Sequence, residues 1–468
     1  MSKISNPADG AISRRTATKL LAAAAAAPLF AAPAIVRAQS RVPDLLLFMM
    51  GDVHSGYRYM PGLVSTIKQV LALNPGANAA MLFNGDMHEA GNILSVRNNA
   101  AIDFALIDSL HGLMPIVVNI GNHDADIFDP ADFVTRMNSR GVTVISNITD
   151  RRTGQLFARP MTTLKTSDAT INLIGFGTPS LTSYSATYRA DFNVPDPGTY
   201  AAQMLPSLQT NGTLNIAMAH TGFQYDQAII PSMTTPFILH GAHDHLVFSQ
   251  QLGRNYHIHT GYWCSSVTVA SVFFSRFGPI VKTTVLPIDP LQAGDPTLQT
   301  LITQQKAAYL TSQDLQVIGT MPQALALDQA VLFACSALRQ ASGADVALLS
   351  HTTFGDGLPK GPVTPFDFSA FIRFDGAFVQ AVVDGATLAQ VLTRTNQFGD
   401  FPYTQRTGDY LYASPVTPVA GQQYKIIVNS FAASSAASQQ LYFGTTQIQF
   451  SAVPNLMLKA VVQAALPQ

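Results

Sequence analysis

The chain has 468 residues, more than a single core usually carries, which predicts two domains. Apolar residues make up 47% of it and charged residues only 12%, against about 25% in typical soluble proteins. A formal net charge of −1 excludes a basic field for nucleic acid and a polybasic membrane patch.

Ser13-Arg14-Arg15-Thr16-Ala17-Thr18-Lys19 opens an Ala-rich apolar run from Leu20 to Val36, broken by Pro28 and Pro33 and closed by Val36-Arg37-Ala38-Gln39. A basic start, an apolar middle and a small-residue stop predict a secretory signal over 1–38. Arg14 and Arg15 resemble the pair of a twin-arginine signal, although the usual Phe and Leu that follow are Ala17 and Thr18 here. That resemblance implies export of a folded, already metal-loaded chain into a bacterial periplasm by the twin-arginine machinery. Nothing after the signal is long and apolar enough to span a bilayer. Cys264 and Cys335 fall in different predicted domains; they could pair after export, but they read as two buried thiols.

From Val42 on, short apolar runs alternate with amphipathic stretches, the pattern of an α/β fold. Leu45–Met50 reads as a buried strand and runs into Gly51-Asp52-Val53-His54-Ser55. Leu63–Leu73 has helical spacing and stops at Asn74-Pro75-Gly76. Ala79–Phe83 is the next strand, ending in Asn84-Gly85-Asp86-Met87-His88-Glu89-Ala90-Gly91. After a helix over Ala101–Leu110, the apolar run Leu113–Ile120 closes on Asn119-Ile120-Gly121-Asn122-His123-Asp124-Ala125-Asp126. Further strands are expected at Val142–Ser146, Ile171–Gly175, Leu214–Met218 and Phe237–Leu239. The last two end at His220 and at His240-Gly241-Ala242-His243-Asp244-His245. The catalytic domain is thus expected over 39–288. A linker with a polar helix (Leu298–Leu310) follows over 289–314, and a second domain over 315–468.

Strands that repeatedly stop at Gly and then deliver Asp, Asn and His are not core-building composition, because such side chains are costly to bury unless they hold something. In open α/β sheets ligands gather beyond the carboxyl ends of strands, so Asp52, His54, Asp86, Asn122, His123, His220, His243 and His245 can converge on one crevice. Residues at i and i+2 share a face about 6.6 Å apart, so Asp52/His54 and His243/His245 can each present two ligands. Oxygen and imidazole donors without thiolate suit Zn, Mn, Fe or Co. Eight positions exceed one ion's needs and predict two divalent ions, a clamp for displacement at phosphorus.

The ordered blocks Asp52-Val53-His54, Gly85-Asp86 to Gly91, Gly121-Asn122-His123-Asp124, His220 and Ala242-His243-Asp244-His245 resemble the calcineurin-like metallophosphoesterases. Within them the two-domain 5′-nucleotidase family is the nearest in pattern. The resemblance implies a four-layer β-sandwich flanked by helices, with a smaller α+β domain behind it. It implies that Asp52, His54 and His245 hold one ion, that Asn122, His220 and His243 hold the other, and that Asp86 bridges them. His123 would protonate or stabilise the leaving oxygen while Asp126 orients its ring, and a hydroxide supplied by the metals would attack in line. His88, Glu89, His240 and Asp244 read as supporting or solvated residues, His257 and His259 as packing or surface residues, and His111 as a helix C-terminal dipole partner. Ala242 stands where the family has Gly, a cost of about 1 kcal/mol if a positive φ is needed there.

Gly343-Ala344-Asp345-Val346-Ala347-Leu348-Leu349, Gly361-Pro362-Val363-Thr364 and Val383-Asp384-Gly385-Ala386-Thr387-Leu388 resemble the family's C-terminal domain, which supplies the substrate pocket. Its N-G-G-x-x-R block reads Ser350-His351-Thr352-Thr353-Phe354-Gly355, so Gly355 replaces the phosphate-gripping arginine. Its P-F-x-N block reads Arg373-Phe374-Asp375-Gly376. Arg373 and His351 are the expected substitutes for that charge, and Phe431 and Tyr403 the expected stacking aromatics. The reading is a periplasmic dinuclear phosphoester hydrolase acting on nucleotides or related small-molecule phosphoesters. Its alternatives are a thiosulfohydrolase-like enzyme for another oxyanion ester, and a binding protein that keeps the fold without turnover.

Overall fold

A computed structural model describes residues 41–166, 169–208, 214–234 and 236–467, so the expected signal over 1–38 lies outside the described residues. Residues from Pro43 onward form one compact unit. Two six-stranded sheets make its first half. In order across the first sheet lie Ile280–Pro287, Ser266–Phe273, Leu45–Gly51, Asn78–Asn84, Ile116–Asn119 and Thr143–Ile145. The second runs Val247–Leu252, Asn255–Thr260, Phe237–Gly241, Leu214–His220, Thr170–Gly177 and Met161–Lys165. Their central strands are parallel.

The first strand shows why the sheets stack. Leu45, Leu47 and Met49 point into the space between the sheets, where they meet Leu173, Ile216 and Ile238. Leu46, Phe48 and Met50 point the other way, into a core shared with the helices Met60–Leu73, Ala101–His111 and Pro296–Tyr309. A run apolar at every position is what burial on both faces requires. Helices Pro197–Met204 and Phe223–Ile229 cover the outside of the second sheet, completing four layers. The polar helix expected as a linker element therefore belongs to the first half: Leu298 and Ile302 are buried in its core. Its Gln- and Thr-rich exposed face disguised this role.

Five more strands, Leu411–Ala413, Val346–Ser350, Gln423–Asn429, Phe378–Asp384 and Ser451–Val453, form the sheet of the C-terminal half. Helices Leu327–Ser342 and Leu458–Ala464 pack on one face, and Gly385–Leu392 and Ala436–Phe443 on the other. Cys264 and Cys335 are both free and buried, one in the core of each half. Among the described residues no helix is long and apolar enough to cross a membrane.

Candidate active site

The two sheets are pinned together at the carboxyl ends of their strands. The Asn119 amide nitrogen lies 2.9 Å from Asn84 Oδ1, 2.9 Å from the Phe176 carbonyl and 3.0 Å from the Met218 carbonyl, and Asn84 donates to the His240 carbonyl at 2.6 Å. The loops just beyond are stitched to each other. Asp52 and His54 donate their backbone N–H to the carbonyls of Gly85 and Asp86, and Trp263 donates to Asp52. Asp124 accepts from the backbone N–H groups of Gly121, Asp86 and Met87 at 2.8–3.1 Å, tying the third loop to the second. That role was not foreseen; the Asp following Asn122-His123 carried it.

These loops bring the expected donors together. Asp52, His54 and His245 present donor atoms within 4.8 Å of one another, and so do Asp86, His220 and His243. His54 Nε2 lies 3.1 Å from His245 Nε2. Asp86 Oδ2 sits between the trios, 3.1 Å from His220 Nε2 and 3.7 Å from His54 Nε2. Asn122 Oδ1 is 3.1 Å from His220 Nε2 and 2.8 Å from His243 Nδ1.

The donors fit metal ions in chemistry as well as in place. His220 donates its Nδ1–H to the Asn84 carbonyl at 2.7 Å, which turns Nε2 toward the crevice for a ligand bond. At His54 the Nδ1 lies 3.3 Å from Glu89 and 3.2 Å from Arg373 Nη2, so that both members of this ion pair bear on the ring. Burial holds His54 and His245 well below the ordinary imidazole value and His243 at about 4, the neutral form that ligation needs. Burial pushes the Asp52 carboxyl up to about 8 against the pull of His220, and neighbouring Asp86 adds to the rise. A carboxylate so destabilised in the protein alone is waiting for a cation.

His123 sits beside the donors rather than among them. Its backbone N–H donates to Asp86 Oδ1 at 2.7 Å, and its Nδ1 is 2.8 Å from Asp126 Oδ2. Burial favours the neutral ring, but Asp86 and Asp126 outweigh it and hold His123 up at about 9. It faces a cavity of about 810 Å³ that both halves of the chain line.

The pocket itself departs from expectation. Phe431 lines the cavity, as does Phe374, which stacks on His123 at 5.8 Å and was not foreseen as a contact. Arg373 reaches the cavity wall, but its guanidinium is committed to Glu89, the Thr352 carbonyl and His54 Nδ1. His351 is buried behind the wall, not in it: its Nε2 donates to the Asp244 carbonyl at 2.6 Å and its Nδ1 meets Asp409 at 2.7 Å. It braces the loop carrying His243 and His245. Tyr403 does not line the cavity; its ring packs on Phe223 and Phe248, and its hydroxyl bonds Gln227 and His257. Gly355 lies against the Trp263 indole, where an added Cβ would be 2.2 Å from Cζ2, so Trp263 fills the space a longer side chain would need.

Glu89 and His88 are buried, not solvated, and His88 packs between Phe128 and Phe133. His257 and His259 are neither surface nor plain packing residues, being buried on Asp226. Ala242 takes no positive φ; the left-handed conformations fall on Asp52, His54, Asp86, His243 and His245 instead.

Residues 46–248 match the family model of the calcineurin-like phosphoesterases, and residues 317–429 that of the 5′-nucleotidase C-terminal domain. No curated protein sequence matches the chain. Among solved structures, a 5′-nucleotidase precursor from Thermus thermophilus superposes with a TM-score of 0.60 at 15% identity, over 90% of this chain and 96% of that one. The sulfate thiohydrolase SoxB of Thermus thermophilus, in complex with glycerol, gives 0.61 at 12% identity, over 91% and 95%. The 5′-nucleotidase of Candida albicans gives 0.57 at 12% identity, over 91% and 98%. These similarities are similarities of fold; the matched domains and the donors they bring together carry the assignment. The chain belongs to the calcineurin-like phosphoesterases, in the two-domain 5′-nucleotidase family, and is a metal-dependent phosphoester hydrolase.

Proposed function

We propose that the chain is an exported, periplasmic hydrolase that uses two divalent ions on a phosphoester less charged than a nucleoside monophosphate. The observation that carries the reading is the placement of two donor trios around Asp86, with the His123–Asp126 pair beside them at the cavity. Asp52, His54 and His245 would hold one ion, Asn122, His220 and His243 the other, and Asp86 would serve both. When bound, the ions polarise the phosphoryl oxygens and make an attacking oxygen available near neutral pH. Asp126 fixes the His123 ring through Nδ1, which leaves Nε2 to deliver a proton to the departing alcohol.

The choice of ester follows from the wall. Arg373 is the single Lys or Arg in the lining, and Glu89 neutralises it. Ser and Thr are the commonest of the remaining lining residues, with Asp244, Asp409, Phe374 and Phe431 beside them. Such a wall offers hydroxyls and aromatic faces to a leaving group, and no unpaired Lys or Arg for the extra charge of a monoester dianion. AMP, a monoester dianion, should therefore be a poor substrate relative to a phosphodiester monoanion, by roughly 10–150-fold in kcat/KM, the worth of one lost charge-assisted contact.

A second reading, hydrolysis of another oxyanion ester, is favoured by the likeness to the sulfate thiohydrolase and by the same lack of a free arginine. A panel of AMP, nitrophenyl phosphate, bis(nitrophenyl) phosphate and a thiosulfate ester, run on protein reconstituted with Mn²⁺ or Zn²⁺, separates the readings. AMP as the best substrate would overturn the proposed preference. Turnover of the thiosulfate ester alone would install the second reading. No turnover of any ester would favour a binding role, which has no use for the His123–Asp126 pair.

A further inference from the structure

A second group of metal-type donors lies on the outer face of the second sheet. His257 and His259 are i and i+2 on the strand Asn255–Thr260 and project from one face of it, while Ile258 between them packs into the inter-sheet core. Onto the outer face the helix Phe223–Ile229 lays Asp226. Asp226 Oδ2 is 3.0 Å from His257 Nε2 and 2.7 Å from His259 Nε2, and Asp226 Oδ1 accepts from the Thr221 hydroxyl at 2.5 Å. No side chain of the three is more than 1% exposed. None of them lines the active-site cavity.

The construction repeats that of the active site. There, the i, i+2 pair Asp52 and His54 faces a third donor, His245, from another element, and donor pairs such as His220 Nε2 and Asp86 Oδ2 stand 3.1 Å apart. Here the three donors likewise lie within 4.8 Å of one another. The surroundings are apolar and close. Phe223 stacks on His257 at 5.6 Å and Phe248 on His259 at 4.8 Å. Beneath them Gly241 presents bare backbone; a Cβ there would be 2.1 Å from His259 Nε2 and 2.5 Å from Asp226 Oδ2.

Charge gives the cluster its direction. Although burial opposes it, the two imidazole contacts hold the Asp226 carboxyl down at about 2, so it is ionised. Burial pushes His259 down to about 4, so that ring is neutral. Among the described residues the ion pairs of Asp226 are with these two histidines and include no Lys or Arg. Two imidazole nitrogens and one carboxylate oxygen are donor types that zinc and its neighbours take.

We propose that Asp226, His257 and His259 form a third metal site, structural in role, for a divalent transition ion of the zinc type. With Nε2 of His257 on the ion, its Nδ1 proton goes to the Tyr403 hydroxyl, 2.9 Å away. The site then clamps the helix Phe223–Ile229 to the strand beneath it and ties both to the C-terminal half through Tyr403.

The proposal does not depend on the reading of the active site, and one measurement tests the two apart. Crystals of the full chain loaded with Zn²⁺ are recorded on both sides of the zinc absorption edge. The expected result is an anomalous peak between Asp226 Oδ2, His257 Nε2 and His259 Nε2, besides those at the active site. A map without that peak overturns the third site, whatever the active site holds, and leaves Asp226 as a carboxylate hydrogen-bonded by two histidines. A peak at the third site with none at the active site would sink the two-metal reading alone. In solution, His257→Gln/His259→Gln should lower the zinc content by one equivalent and keep the ions of the active site. Unchanged zinc content in that variant also overturns the proposal.

Discussion

The ion pair between Glu89 and Arg373 joins the two halves of the chain, and its removal has a calculable cost. Arg373 Nε donates to Glu89 Oε2 at 2.6 Å, Nη2 donates to the same oxygen, and Nη1 donates to the Thr352 carbonyl at 3.2 Å. Neither side chain is more than 1% exposed. The desolvation of both charges is therefore already spent, and deleting one leaves the other buried alone, at about 3–5 kcal/mol. Arg373→Ala should show most of that loss, since Glu89 would keep no cationic partner. Glu89→Ala should lose somewhat less, because the guanidinium retains Thr352 and the faces of Phe374 and Trp263, 4.8 and 5.8 Å away. Glu89→Ala/Arg373→Ala leaves neither charge, so its cost should fall short of the sum of the singles by about 1–3 kcal/mol. The assay is urea unfolding of the four proteins at saturating metal, followed by fluorescence of Trp263, the chain's single tryptophan. Two single losses below about 1 kcal/mol that add in the double variant would refute the reasoning, since that is how an exposed pair behaves.

His123→Asn should lower kcat by about 10²–10⁴-fold with metal content unchanged, and the loss should be smaller for a nitrophenyl than for an alkyl phosphate. An equal loss on both would remove the proton-donor role. Asp86→Ala should cost both active-site ions, and elemental analysis showing them retained would contradict the bridging role. A chelator should abolish turnover of wild type, and added Mn²⁺ or Zn²⁺ should restore it. Gly355→Ala should destabilise by about 1–3 kcal/mol through the clash with Trp263, and Gly355→Arg should fail to create a phosphate grip; a gain on AMP from the arginine would show that the indole gives way.

How far the site could be read from sequence follows from how local each signal is. A strand end supplies a ligand through its own last residues, so Asp52, Asp86, Asn122 and His220 stand next to apolar runs that mark them. The runs Leu45–Met50 and Ala79–Phe83 agree with the observed strands to within a residue or so, because burial on both faces leaves no other composition. The run Leu113–Ile120 overshot, since only Ile116–Asn119 pairs and the residues before it are a turn. The pocket was less legible because each of its contacts joins distant positions. Glu89 and Arg373 are 284 residues apart, and His351 reaches Asp244 across 107. Tyr403 looked available for stacking in a stretch rich in Phe and Gly, yet the apolar faces of Phe223 and Phe248 claim its ring. His257 and His259 had the same i, i+2 spacing as the ligand pairs. What they lacked was a Gly-Asp signal beside them, because their carboxylate comes from a helix 31 and 33 positions away.

The backbone supplies a last argument that no composition carries. Five of the seven donors around the active site, Asp52, His54, Asp86, His243 and His245, have positive φ, between 45° and 80°. A non-glycine residue in that region costs about 1–2 kcal/mol, so a chain selected for stability alone would place Gly or Asn there. Here the strain coincides with metal-type donors, and the surrounding bonds over-determine it. His243 donates its N–H to Asp52, Asp52 and His54 donate to the neighbouring loop, and Asp124 accepts from three backbone groups at once. Ala242, where the family's glycine pointed to strain, has none, so replacing that glycine left the geometry of the adjacent ligands to His243 itself. At these five positions the cost falls on side chains that point into the crevice, as a site held ready for ions requires.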